Sequence, residues 1–586
     1  MKITEIDYVE MLRENRKLGQ TLGSDPCRIQ LLTNIAIHQL HDFLEFALRS
    51  ESVPAEVSSA NFDNIVQDSE IAADSRFVLI FWEIWRLTNG LFYKIDEMSE
   101  RDFHSLIENT KSQIGLVLKN LQKVPLVLFN QFTALPFASQ QIECTRLEKI
   151  AAELNAFVEQ HKPVNTKIIN TEKILIRLGI EKCFDWRNFY AASAPYSLDF
   201  FRHYVWFILP ILLAAEGKSK KALIFDCDNT LWKNILGEDG FDNIKMSPET
   251  FDGRPFHEVQ HLAVALAQKG ILIGLCSKNN PEDVDRVLKS HPDMVLKDEH
   301  LAIQKVNWND KAANLRQIAD ELNLSPDSLV FVDDSAFEIG LVNQQLPEVT
   351  TLLVPPNLTR YPQQIREISR LFYQPAVTDE DRQKVRIYQQ QAQREQARQE
   401  FSNVEEYLRS LELKLKILKN DKNIVPRLAQ LTQKTNQFNL TTRRYTENDI
   451  ADFLNRKDYQ IYAFSVADKF GDNGITGLAI LKLNHEAASA QIDTFLISCR
   501  IIGRNIEFVF MDFLVKKMRR QGFHKFEAEY IQTPKNQQAA DFYNRCSFSR
   551  IDKKNDSALY ELKLETYQSQ NIDYIQVLNG ENGDGR

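Results

Sequence analysis

The chain has 586 residues, and at about 150 residues per domain it should hold several cores rather than one. Apolar residues make up 43% and charged residues 26%, an ordinary globular composition that excludes global disorder. With 71 basic and 80 acidic side chains the net charge is −9, which speaks against a dedicated nucleic-acid binder but not against a phosphorylated substrate held by a few local cations.

The first residues carry acids and lack the apolar stretch of a secretory signal, so 1–24 reads as a polar helical lead-in. RIQLLTN (28–34) reads as a buried strand and IHQLHDFLEFALRS (37–50) as an amphipathic helix. An apolar strand near 77–85, a helix over 103–124, a strand over 125–132 and a helix over 147–161 follow. This alternation predicts a parallel α/β sheet within 25–216. The longest apolar run, Tyr204 to Ala215, is interrupted by Pro210 and falls short of the about 20 residues a bilayer needs, so no membrane span is expected. The pattern restarts after Lys220-Lys221, with strands at 221–226, 271–277, 328–333 and 351–355, giving a second α/β unit over 217–375. Gln- and Arg-rich residues 376–402 read as a solvated helical connector. A third unit spans 403–566, with strands near 460–466, 475–482 and 491–499 and helices near 505–520 and 536–546; residues 567–586 read as a partly disordered tail. Seven scattered cysteines without a CxxC pair fit a reducing cytoplasm.

The chemistry concentrates in the second unit. Its first strand runs into Asp226-Cys227-Asp228-Asn229-Thr230, where a parallel sheet presents ligands at its carboxyl edge. Ser277-Lys278, Lys311 and Asp333-Asp334 follow the ends of later elements in order. The series resembles the haloacid-dehalogenase (HAD) superfamily. The resemblance implies that Asp226 is nucleophile or first metal ligand, and that Asp228 is the acid/base and offers its backbone carbonyl to Mg²⁺. It also implies that Ser277, Lys278, Thr230 and Lys311 meet a phosphate, and that Asp333 and Asp334 complete the metal site. A carboxylate facing a phosphate dianion is repelled unless a hard divalent cation stands between them, so the chemistry agrees. Lys305 is a rival for the Lys311 role.

The longer stretches KALIFDCDNTLWKNILGEDG (221–240), LCSKNN (275–280), NWNDKAANLRQIADELNL (307–324) and FVDDSAFE (331–338) resemble the FkbH-like branch of that superfamily, as do 431–450 and 497–515. This branch comprises cytoplasmic glyceryl transferases of polyketide biosynthesis, which move a three-carbon unit from 1,3-bisphosphoglycerate to an acyl carrier protein. Ile339 stands where many members carry a basic residue. The resemblance implies a glyceryl-S-enzyme. Cys227 is the first candidate for its thiol and Cys499 a second, against the alternative that both are packed core cysteines. A plain phosphatase acting through Asp226, or an inactive carrier-protein docking scaffold, remains open.

The third unit resembles the GNAT acyltransferase fold. Cys499, Arg500, Gly503 and Arg504 occupy its pyrophosphate loop, and Asn536 and Tyr543 match its Asn and general-acid Tyr. The loop departs from Gln-x-x-Gly-x-Gly, so a carrier-protein phosphopantetheine is expected there rather than coenzyme A. The first unit resembles an SGNH-hydrolase or flavodoxin-like sheet. Its first strand ends Leu32-Thr33-Asn34 without the nucleophilic Ser, and Asp199 and His203 are one residue too far apart for the closing Asp-x-x-His, so it is expected to be non-catalytic. The implied whole is an α/β multidomain chain (SGNH/flavodoxin-like, HAD-like Rossmannoid and GNAT-like α+β) with Mg²⁺ as cofactor. Its implied partners are an acyl carrier protein and a phosphorylated three-carbon molecule, with no nucleic acid and no membrane.

Overall fold

The computed structural model describes residues 3–21, 26–374, 386–388, 390, 394, 397–398, 401–554 and 556–579. Most of the connector expected at 376–402 lies outside the described residues. The chain forms two compact units, Met1–Glu216 with Tyr445–Asp449, and Gly217–Arg444 with Ile450–Arg586.

The first unit is built on five parallel strands: β1 (Cys27–Thr33), β2 (Ala55–Ser59), β3 (Phe77–Phe81), β4 (Leu126–Asn130) and β5 (Thr166–Ile169). Their order β2-β1-β3-β4-β5 is the flavodoxin-like one. Phe77 to Phe81 and Leu126 to Asn130 are buried throughout, as strands covered on both faces must be. The helix Tyr8–Thr21 is not a free lead-in. Met11 is buried, Tyr8 Oη donates to Asp42 Oδ2 at 2.7 Å, and Asn15 donates to Glu45, both acceptors on the helix His38–Ser50. Among the described residues, one helix, Leu198–Ala215, has the length and apolar composition to cross a bilayer, which the shorter run read from the sequence did not reveal. Half of it is buried inside the unit, with Phe200, Tyr204, Val205, Ile208 and Leu212 in the core around β1 and β3.

At the carboxyl edge of this sheet Asn34 bridges to Glu83, its Oδ1 accepting from Glu83 N (2.8 Å) and its Nδ2 donating to Glu83 O (3.0 Å). Asp199 and His203 stand apart from that bridge. His203 Nδ1 bonds the Asp199 carbonyl within their own helix, and the Asp199 carboxylate pairs with Arg202.

The second unit carries two further sheets. β6 (Ala222–Phe225), β7 (Leu272–Ser277), β8 (Leu301–Val306), β9 (Leu329–Asp333) and β10 (Thr350–Leu353) are parallel, in the order β10-β9-β6-β7-β8. The order reverses at β6, and the crevice beyond its carboxyl end is where such sheets take ligands. The third sheet is mainly antiparallel. Its strands are β11 (Leu413–Lys419), β12 (Tyr459–Asp468), β13 (Gly471–Asn484), β14 (Ser489–Ile497), β15 (Lys525–Ile531), β16 (Ser549–Lys554), β17 (Ser557–Lys563) and β18 (Ile575–Asn579), in the order β16-β17-β15-β14-β13-β12-β11-β18. The helix Ile506–Arg520 packs its Phe510, Met511 and Leu514 into that sheet's core, completing the expected GNAT-like α+β arrangement. Within the tail, Ile575–Asn579 pairs in parallel with β11 as an edge strand, and residues 580–586 lie outside the described residues.

The Glu83 carboxyl is buried, and desolvation pushes it up to about 7 although Tyr196 donates to it at 2.7 Å. A carboxyl raised above the usual 4.5 keeps its proton in the folded chain while the unfolded chain has lost it. Its stabilising contribution is therefore complete below pH 4.5 and disappears as the pH rises through about 7. Glu83→Gln should flatten the decline of unfolding free energy between pH 5 and 8 by on the order of 2 kcal/mol, measured by urea unfolding at each pH. Identical pH profiles for the two proteins would remove Glu83 from this account.

Candidate functional site

The site is assembled by the carboxyl ends of β6, β7 and β9. Asp226 follows β6, and its N–H donates to Val332 O of β9 (2.9 Å), so the ladder holds the backbone up to the residue that carries the carboxylate. The chain then turns sharply. Asn229 takes a left-handed conformation (φ 52°), a region that Asn tolerates better than most residues. Leu231 N bonds back to Cys227 O at 2.8 Å, closing the loop.

Lys311, at the first position of the helix Lys311–Glu321, reaches into this crevice. Its Nζ lies 3.0 Å from Asp226 Oδ1 and 2.6 Å from Asp333 Oδ2. Asp333 Oδ1 accepts from Ser335 N at 2.8 Å. Asp226, Asp333 and Asp334 each offer an oxygen, and these oxygens lie within 4.8 Å of one another. Three carboxylates in one place are a hard-oxygen donor set that fits Mg²⁺. Ser277, the last residue of β7, is buried close enough for its hydroxyl to lower the Asp226 carboxyl. Thr230 is wholly buried beside the loop, and its hydroxyl has no hydrogen-bond partner.

Burial sets the electrostatics. It raises the Asp226 carboxyl, and the ammonium of Lys311 and the hydroxyl of Ser277 offset only part of that effect. Burial and then the charge on Asp226 push Asp333 up to about 6, opposed by Lys311. Desolvation works against the Lys311 ammonium, but the two aspartates outweigh it and hold it charged beyond the usual lysine range. Asp334 is raised by desolvation and by Asp333.

Several residues occupy positions the sequence did not foresee. The Asp228 carboxylate lies outside the three-oxygen cluster and accepts from Trp232 Nε1 (2.9 Å), Leu236 N (3.0 Å) and Asn279 Nδ2 (2.8 Å), which fixes its orientation. Asn279, within the quoted LCSKNN stretch, was not singled out. Lys278, expected at a phosphate, is instead paired with Glu338 at 2.6 Å. Lys305 pairs with Glu321 and does not touch the aspartates, which leaves the central position to Lys311. Cys227, the first candidate for an acyl-carrying thiol, is fully buried in the core with Leu223 and Phe225. Desolvation and the neighbouring Asp226 push its thiol well up, opposing the thiolate that would have to attack. Alternation along the strand is the reason: Asp226 faces the crevice, so its neighbour faces inward.

The GNAT-like sheet overturns more of the expected binding set. β14 and β15 pair only over Ser489–Ile492 and Lys525–Ala528 and then diverge. The gap is filled by the chain itself. Leu440 N donates to Phe495 O (3.1 Å), Ile497 N to Phe438 O (2.9 Å) and Ile531 N to Leu440 O (2.8 Å). Asn536 is fully buried and secures this insertion, its Nδ2 donating to Asn439 O (3.0 Å) and Ile531 O (2.8 Å) while its Oδ1 accepts from Thr533 N (2.8 Å). Tyr543 is buried in the core, where desolvation holds its phenol protonated. Arg504 is buried and ion-paired with Asp468 at 3.1 Å, beside Arg394, which binds the same carboxylate. Desolvation and Arg394 push Arg504 down to about 10. All three side chains are buried within the sheet's own core, and the Tyr543 hydroxyl has no hydrogen-bond partner there. Gly503 is exposed, with a left-handed φ of 83° that turns the chain toward the helix Ile506–Arg520. Cys499 and Arg500 do line a cavity, together with Lys221, Arg427, Lys434 and Lys535, which the sequence did not single out.

No family model matches the chain, and no curated protein matches it. A solved structure does. The N-terminal part of the protein BF1531 from Bacteroides fragilis, containing a phosphatase domain complexed with Mg, aligns with 63% of this chain and 100% of its own at 25% identity and TM-score 0.54. Two acetyltransferases align with 27% of this chain at TM-score 0.21. They are the ribosomal-protein-S18-alanine N-acetyltransferase of Escherichia coli (11% identity, 97% of its chain) and a mutant of the spermidine N-acetyltransferase SpeG of Vibrio cholerae (15%, 96%). At those scores the third sheet is assigned from its own strand order.

Lys311 holds two buried carboxylates together, so removing it should be costly. Lys311→Met is expected to lower the unfolding free energy of the second unit by about 3 kcal/mol or more, because it leaves Asp226 and Asp333 uncompensated. Denaturant unfolding at pH 7.5 measures this, and an unchanged midpoint would show that the ion triad is not a structural element.

Proposed function

We propose that the Asp226 centre is the phosphate-handling site of a Mg²⁺-dependent, cytoplasmic glyceryl transferase of the FkbH-like kind. It moves the glyceryl group of 1,3-bisphosphoglycerate to an acyl carrier protein in polyketide or related natural-product biosynthesis. The observation that carries this reading is the Lys311 ammonium 3.0 Å from Asp226 and 2.6 Å from Asp333, with Asp334 completing a three-carboxylate cluster. Asp226, Asp333 and Asp334 would hold the metal, which when bound supplies positive charge against the phosphate oxygens.

The remaining steps belong to the chain's own side chains. Lys311 and the hydroxyls of Ser277 and Thr230 bind and orient the phosphate. The substrate is a mixed anhydride, so a thiolate that attacks its carbonyl carbon forms a carbon–sulfur bond, breaks the carbon–oxygen bond and releases phosphate. Lys311 stabilises the charge that develops on that leaving group. Asp228, oriented by Trp232, Leu236 and Asn279, is assigned as the base that takes the thiol proton. Cys227 and Cys276 are both fully buried, and desolvation pushes both thiols up, so the attacking sulfur is assigned to the carrier's phosphopantetheine.

A second reading, a phosphatase in which Asp226 attacks phosphorus, is favoured by the resemblance to a Mg-complexed phosphatase domain. Bond cleavage separates the two. With ¹⁸O at the bridging position of the anhydride, acyl transfer sends the label into phosphate, and attack at phosphorus leaves it on the carboxylate. Label in phosphate, with a glyceryl thioester on the carrier detected by intact mass, is the expected result. Label in free glycerate would establish the phosphatase.

Either chemistry needs the carboxylates. Asp333→Asn is expected to lower turnover at least about a hundredfold, and EDTA to abolish it reversibly. Full turnover of Asp333→Asn in excess chelator would exclude the metal.

A further inference from the structure

A second charged space lies at the opposite end of the same two strands. Lys221 immediately precedes β6 and Ser328 immediately precedes β9, and Lys221 N donates to Ser328 O at 2.8 Å. Asp226 and Asp333 stand at the other ends. Five residues at about 3.3 Å each put Lys221 and Asp226 about 16 Å apart, so the two spaces share a sheet but not a site.

The cavity at the Lys221 end measures about 340 Å³, within the range of small-molecule sites. Lys221, Arg427, Lys434, Arg500 and Lys535 line it, and among the described residues no Asp or Glu does. Each cation is positioned from behind. Lys221 Nζ donates to Lys434 O (3.2 Å), Lys434 Nζ to Gln374 (2.9 Å), Arg427 Nη2 to Ile475 O (2.9 Å) and Arg500 Nε to Ser498 Oγ (3.3 Å). Lys535 pairs with Asp327 at 2.6 Å. Four of these bonds go to neutral acceptors and one to a carboxylate, and cations gathered round one concave space repel one another. The Lys221 ammonium registers this, being pushed down by desolvation and by Lys535 and Arg444, with Cys499 and Asp327 opposing. An anion relieves the arrangement, and five cations suit a phosphate better than a lone carboxylate. The same wall holds Cys499, Tyr388 and Gln437, whose buried Oε1 has no hydrogen-bond partner.

We propose that this cavity binds a phosphate ester whose far end lies beside Cys499, independently of the Asp226 centre. The ester is either a free small metabolite or the phosphate of a pantetheine arm, and the probes distinguish the two. Cys499 in the full-length protein is alkylated with iodoacetamide and followed by peptide mass spectrometry, with desulfo-coenzyme A and 3-phosphoglycerate as the probes. Saturable protection by either is expected, desulfo-coenzyme A identifying the arm and 3-phosphoglycerate the free metabolite. Lys535→Ala and Arg500→Ala should each weaken the protecting affinity about tenfold, the loss of one charge-assisted hydrogen bond, while protection persists in Asp226→Asn. Calorimetric titration of the same probes into wild type and Lys535→Ala gives the same reading if Cys499 resists the reagent. Absence of binding by both probes, or affinity undiminished in both cavity variants, would overturn the proposal. Loss of protection in Asp226→Asn would make the two spaces one site and overturn its independence.

Discussion

One ammonium between two buried carboxylates organises the second unit. At 3.0 Å and an effective dielectric constant of about 20, Lys311 and Asp226 attract by about 5 kcal/mol, comparable with the several kcal/mol that desolvating each ion costs. The triad is therefore close to self-balancing and still carries one net negative charge, to which Asp334 adds. A phosphate dianion entering this field is repelled unless a divalent cation comes with it. The same carboxylates that bind Lys311 thus create the demand for a metal. The helix Lys311–Glu321, the end of β6 and the end of β9 have to meet at one point for the charges to be tolerable at all.

The placement of β6 gives this point its reach. As the strand where the order reverses, β6 has β9 on one side and β7 on the other, so three strand ends deliver Asp226, Ser277 and Asp333 to one crevice. Its opposite end is just as central, and there Lys221 is held against Ser328 at the start of β9. A short buried strand of four residues separates an anionic centre from a cationic cavity. Their opposite signs suit different parts of a phosphorylated reactant and its acceptor, or two different molecules.

Much of the Asp226 centre was legible because Asp226, Ser277 and Asp333 sit at or just past the end of a strand and Lys311 opens a helix, and apolar runs mark strand ends well. Asp226, Ser277, Lys311 and Asp333 need only the right strand order to meet. Lys278 and Cys227 were misread for a related reason. Their neighbours face the crevice, but whether a given side chain does so depends on alternation and on a partner such as Glu338, sixty residues away. The binding set of the third sheet was poorly legible because it depends on what fills the gap between β14 and β15. TNQFNLTTRR reads as a polar loop, yet Phe438, Asn439 and Leu440 are buried there and turn Asn536 into a clamp on the chain's own backbone. Lys221 lies more than two hundred residues before the other cavity cations, so nothing local announces the set. The short strands β2 and β5 carry too few apolar residues to stand out, and long-range pairing decides them.

The cysteines give the last constraint on the chemistry. Two of them flank the phosphate centre in sequence, at Cys227 beside Asp226 and Cys276 beside Ser277, and proximity alone made the first attractive as a nucleophile. Both are turned into the core by the alternation that turns Asp226 and Ser277 outward, so a strand that presents a carboxylate or hydroxyl to substrate must withhold the adjacent thiol. In the proposed glyceryl transfer, an acyl group released from phosphate at this centre therefore has to meet a sulfur brought from elsewhere. Cys499 lines the cavity at the Lys221 end of β6, the end opposite Asp226. If the acyl group visits both places, something mobile has to carry it. A flexible thiol-bearing arm fulfils that requirement, and a carrier protein supplies one without any rearrangement of the ion triad that keeps the centre intact.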